Sequence, residues 1–141
     1  MAARKGSLKR KVASEHRRLD RLFAEVRATL MPSGPKAKRL PLFGRLREAL
    51  EAHLAQEDRL YYPPIWALRP ERKAALLALV RAHDQFRSLL DEIGRDLAEG
   101  AMGAARRAFD AFAEAFAQHE AGEEKLLHAL EEEIGPAHAA R

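Results

Sequence analysis

Cysteine is absent from the 141 residues, which removes disulfides, thiolate zinc sites, iron–sulfur clusters and cysteine nucleophiles from consideration. Long apolar runs are missing too. The longest, Ala74 to Val80, falls far short of the roughly 20 residues that span a bilayer. No signal-peptide-like segment follows the N-terminus, so a cytoplasmic location without a membrane partner is expected. Acids are missing from the first fourteen residues, which carry Arg4, Lys5, Lys9, Arg10 and Lys11. A basic arm over about 1–7 running into a helix is a plainer reading of that stretch than a transit peptide. Aromatics make up only 6% of the chain. Residues 1–70 hold 16 basic and 7 acidic side chains, net +9, and residues 71–141 hold 9 and 14, net −5. With so few aromatics among the scattered bases, nucleic acid ranks last as a partner, and pairing between the two halves uses the asymmetry better.

What remains is 47% apolar and 33% charged, a composition suited to long amphipathic helices. The spacing predicts a first helix over about Ser7–Leu30 with the seam Val12, His16, Leu19, Phe23, Val26 and Leu30, ended by Met31-Pro32-Ser33-Gly34-Pro35. A second starts near Lys38, carries Leu46, Leu50, His53, Glu57 and Leu60, and is stopped by Pro63-Pro64. After an irregular linker around Ile65–Leu68, Pro70-Glu71 opens a third helix with Leu76, Leu79, His83, Phe86, Leu90, Ile93 and Leu97. Ala98–Gly103 turns the chain into a fourth, with Phe109, Phe112, Phe116, His119, Glu123, Leu126 and Leu130, closed by Gly135-Pro136. The tail over about 136–141 is expected to fray. Leu19, Leu22, Phe23, Val26 and Leu30 map onto Phe86, Leu89, Leu90, Ile93 and Leu97 at an offset of 67. The expected fold is therefore all-α: a single domain over 1–141, an antiparallel up-down-up-down four-helix bundle built from two repeated hairpins.

The chemistry lies in a duplicated pattern. His53-x-x-x-Glu57 and His119-x-x-x-Glu123 each put an imidazole and a carboxylate one helical turn apart on one face. A lone histidine precedes each, His16 by 37 residues and His83 by 36. All six occupy seam positions otherwise filled by Leu, Phe, Val or Ile. Two carboxylates buried there unpaired cost several kcal/mol apiece, so a cation is required. The four histidines also share one depth, each roughly 20 Å from its hairpin turn at 1.5 Å per residue. A third copy, His128…Glu132, lies half a turn off the His119 face and belongs to the surface; His138 belongs to the tail. Without thiolates, iron, manganese and zinc are the metals favoured. Two carboxylates able to bridge and four imidazoles that divide in pairs favour two metals over one.

With Glu15-His16-x-x-Leu19, His53-x-x-x-Glu57-Asp58-x-Leu60-Tyr61-x-Pro63, Ala82-His83-x-x-Phe86 and His119-x-x-x-Glu123-Glu124-x-Leu126, the chain resembles the hemerythrin-like family, the HHE cation-binding domain, over about Lys11–Ile134. It differs from the ferritin-like class, whose helices carry ExxH. The resemblance implies two iron ions, with manganese or zinc ranking below. His16 and His53 would bind one, His83 and His119 the other, Glu57 and Glu123 bridging along with a solvent-derived oxo or hydroxo group. Oxygen carriers of the family have a fifth histidine where Arg87 stands, so the expectation moves from reversible carriage to binding and reducing or decomposing O2, peroxide or NO. Asp20, Tyr61 and Arg87 are candidates to flank the ligands; Tyr61, four residues after Glu57, shares its helical face. Asp58 and Glu124 turn about 100° off the seam and read first as exposed acids, second as groups that orient their neighbours. The rival readings are an iron- or oxygen-responsive sensor or interaction protein, an iron store without turnover, and a metal-free structural bundle. The sequence leaves enzyme status and oligomeric state open.

Overall fold

Four long amphipathic stretches bury their apolar seams against one another, and a short fifth helix joins the middle pair. A computed structural model describes residues 3–139, with side chains described for 8–132. Helix α1 spans Ala3–Leu30, α2 Arg39–Gln56, α3 Tyr62–Leu68, α4 Lys73–Glu99 and α5 Met102–Ala139; among the described residues there is no strand. Helix α1 packs on α2 and α5, and α4 packs on the same two partners. The first helix starts before Ser7, and α5 runs past Gly135-Pro136. The side chains of the basic arm and of the tail, His138 included, lie outside the described residues.

The turns follow local chemistry. Gly34 faces the α1 C-terminus so closely that a Cβ would sit 2.5 Å from the Ala28 carbonyl oxygen, and Arg39 Nε donates to the Thr29 carbonyl at 2.6 Å. That cation offsets the negative end of α1. Gly100, at φ 77°, supplies the left-handed residue that ends α4.

The middle of the chain departs from expectation. Pro63-Pro64 does not stop the second helix. A π-helical turn over Glu57–Tyr61 precedes the prolines, and the chain continues as α3 to Leu68. Proline lacks an N–H and crowds the carbonyl four residues back; the wider turn relieves that crowding and keeps the path helical. The expected linker at Ile65–Leu68 is therefore helix, and Pro70–Arg72 forms a separate 3₁₀ turn ahead of α4.

The core has two unequal parts. The larger is built on Phe23, Phe86, Phe109, Phe112 and Phe116 with the surrounding leucines; Phe23 lies 5.5–5.6 Å from three of the other rings. Each such side chain contributes about 1.5–3 kcal/mol through burial. The smaller contains Val12, Leu127 and Leu130. Leu127 is buried there and Leu126 packs partly buried against the same cluster, because positions three and four beyond Glu123 share one helical face.

Candidate metal centre

The polar layer divides these two cores. His16 from α1, His53 from α2, Glu57 at the start of the π turn, His83 from α4 and Glu123 from α5 are all buried, Glu57 completely; His119 is half-buried. They form two groups whose donor atoms lie within 4.8 Å of one another. One is His16, His53, Glu57 and Glu123; the other is Glu57, His83 and His119. Glu57 belongs to both. Its oxygens stand 3.2 Å from His53 Nε2 and 3.2 Å from His83 Nε2, and His16 Nε2 approaches Glu123 Oε1 at 2.9 Å. His83 and His119 face each other Nε2 to Nε2 at 3.0 Å, a spacing that a shared cation or proton satisfies and two bare lone pairs do not.

These residues fit a metal. Both Glu57 oxygens are buried and accept no well-formed hydrogen bond, and each orphaned polar group costs about 1–3 kcal/mol unless something satisfies it. Burial, reinforced by the neighbouring Glu123, pushes the Glu57 carboxyl up to about 12. Burial raises Glu123, but hydrogen bonds offered by Glu57, His16 and Tyr62 outweigh it and hold the group down to about 2. Burial pushes His53 and His119 down to about 4, and lowers His83 against the pull of Asp58. Three imidazoles are thus kept neutral, the form that donates a lone pair to a metal. His16 is the exception: burial lowers it, but Glu123, Glu124 and Glu120 together raise it to about 9.

A second layer of carboxylates touches the outward Nδ1 atoms. His16 Nδ1 lies 2.9 Å from Glu124 Oε2 and 3.6 Å from Glu120 Oε2; His53 Nδ1 lies 3.5 Å from Glu15; His83 Nδ1 lies 2.7 Å from Asp58. Arg87 reaches Asp58 at 3.2 Å and also binds Glu51 and Asp84, so it stands one shell behind His83. Asp20 stays exposed, lies outside both donor groups and approaches the buried Glu120. Burial, against the pull of His16, pushes Glu120 up to about 8.

Tyr61 does not reach the centre: its hydroxyl donates to Gln56 Oε1 at 3.3 Å. The tyrosine that does is Tyr62, whose hydroxyl donates to Glu123 Oε2 and whose ring stacks on His83 at 5.9 Å. The π turn is the cause. The Tyr62 N–H bonds the Glu57 carbonyl five residues back, so position five rather than four lies over Glu57. Sequence reading by 3.6-residue periodicity missed Tyr62, and the proline pair just after it was the available signal. Glu120 was missed because it adjoins the seam histidine; for Asp58 and Glu124 the orienting role ranked second to exposure because their partners come from distant helices. His128 lies at the surface, bonded to Lys9 at 2.7 Å. A cavity of about 100 Å³ between α1 and α2 opens beside His53, lined by Glu15, Arg18, Ala52 and Gln56.

The fold and this cluster define a class: an all-helical protein with a buried His/carboxylate cluster able to bind metal. The family model for the hemerythrin HHE cation-binding domain matches residues 8–130, and the chain belongs to that family. No curated protein and no solved structure matches it. Among the described residues, no helix is long and apolar enough to cross a membrane.

Proposed function

We propose that the chain is a cytoplasmic, single-domain hemerythrin-like protein, an antiparallel up-down-up-down bundle that holds two iron ions and uses them to bind and reduce or decompose a small oxidant. Short connections between long helices support the topology. His16 and His53 would hold one iron, His83 and His119 the other, with Glu57, Glu123 and a solvent-derived oxo or hydroxo group between them. One observation carries this reading: Glu57 is fully buried, has no hydrogen-bond donor for either oxygen, and is shared by both histidine groups.

An iron pair in this donor set would supply two electrons to O2, peroxide or NO. The chain's own contributions are positional. The phenylalanine core seals one side of the layer against water; Tyr62 holds a proton at Glu123 Oε2; the cavity beside His53 admits only a ligand of a few atoms. Arg87, occupied with three carboxylates, supplies no fifth imidazole.

The test is the metal content and ultraviolet–visible spectrum of protein purified in air, followed by peroxide addition. About two irons per chain with oxo-bridge absorption and catalytic oxygen evolution are expected. Stoichiometric oxidation without turnover would favour the sensor or store. No metal after anaerobic ferrous loading would overturn the proposal.

A further inference from the structure

The acids immediately after the two HxxxE motifs, Asp58 and Glu124, do opposite halves of the same task. Consecutive helical residues point about 100° apart, so while Glu57 and Glu123 face the centre, their successors reach sideways to another helix. Asp58, in the first hairpin (α1–α2), meets His83 Nδ1 of the second (α4–α5) at 2.7 Å. Glu124, in the second hairpin, meets His16 Nδ1 of the first at 2.9 Å. Each repeat thus supplies the carboxylate that holds the lone histidine of the other.

We propose that Asp58 and Glu124 are reciprocal positioning residues, each clasping the Nδ1–H of the opposite hairpin's lone histidine so that its Nε2 stays aimed into the metal layer. The role as metal positioners rests on the function proposed above; the clasp itself does not. An imidazole bound at Nδ1 has its ring orientation set and its Nε2 left as the donor. The inward atoms agree with this: His83 Nε2 is 3.2 Å from Glu57 and His16 Nε2 is 2.9 Å from Glu123. The two clasps are unlike in charge. Asp58 is also held by the Arg87 guanidinium, whereas His16 faces a second, buried carboxylate in Glu120.

The experiment uses the full-length, metal-free protein, whose hydrogen-bonded histidine ring N–H protons resonate far downfield in the NMR spectrum. The expected result is one Nδ1–H signal from His83 and one from His16, each told apart from any Nε2–H signal of the same ring by correlation to the ring nitrogens. Asp58→Ala removes the His83 signal and leaves that of His16; Glu124→Ala moves or removes the His16 signal and leaves that of His83. Asp58→Asn retains an acceptor and so retains the His83 signal, which guards against a variant that merely misfolds. In ferrous titrations each alanine variant weakens metal binding by about 10–100-fold, with Asp58→Asn intermediate. Survival of both signals in both alanine variants would overturn the clasp, as would loss of both signals from either folded variant. Failure of the parent protein to take up metal would overturn the functional reading alone, since the ring N–H signals decide the clasp independently.

Discussion

The two HxxxE motifs have the same spacing and unlike settings. His119 and Glu123 lie on an uninterrupted stretch of α5, where the pattern read as an ordinary helix places them. His53 and Glu57 lie where α2 gives way to a π turn ahead of two prolines. The second motif therefore offers Glu123 to the His16 group, while the first offers Glu57 to both groups and brings Tyr62 over the layer. A repeat preserves ligand spacing, and a local break in one copy adds the groups that make the site asymmetric.

The sharpest way to break this comparison is at the two glutamates. Glu57→Ala is expected to take metal content from the proposed two ions per chain to near zero, because both donor groups lose a carboxylate. Glu123→Ala should retain more, and elemental analysis of matched preparations checks the order. Equal losses would mean that Glu123 serves both groups as fully as Glu57. Next comes removal of metal from the unaltered protein. With free metal at 100 times its dissociation constant, each bound ion adds about 2.7 kcal/mol to stability. Denaturant midpoints with and without chelator measure this, and coincident midpoints would favour a metal-free bundle.

Smaller effects separate the two tyrosines. Tyr62→Phe leaves a buried Glu123 oxygen without its donor and should cost about 1–3 kcal/mol, read from urea unfolding. Tyr61→Phe, whose hydroxyl meets Gln56 and the exposed Lys11, should stay within about 0.5 kcal/mol; the reverse order would deny the π turn its role. The smallest effect is at Gly122, which stands where the first motif has Gln56. It is exposed within α5, and a Cβ there would meet nothing within 4 Å. Gly122→Ala should raise stability by about 0.5–1 kcal/mol with metal content unchanged.

Most of the architecture was legible because helix signals are local. Phe109, Phe112 and Phe116 declare one face by spacing alone, and Gly100 marks a turn by its freedom at positive φ. The six ligand candidates were legible for the same reason, each replacing an apolar residue on a seam. What escaped were relations between helices and one change of helical pitch. Leu127 joined Leu126 on one face and lies deeper; Tyr62 replaced Tyr61 through one widened turn. Asp58 and Glu124 looked like solvent-facing acids because nothing in their own helices pairs with them.

By itself, then, the sequence determined the helices, the polar layer and the residue types within it. Periodicity places a side chain on a face, and burying charge on an apolar face demands a counter-charge. Only the tertiary structure decided which carboxylate serves which histidine, that Glu57 is shared between the two groups, and that Tyr62 reaches Glu123. Those contacts join residues 25 to 108 positions apart, and their partners depend on how the hairpins pack and on the extra residue in one turn.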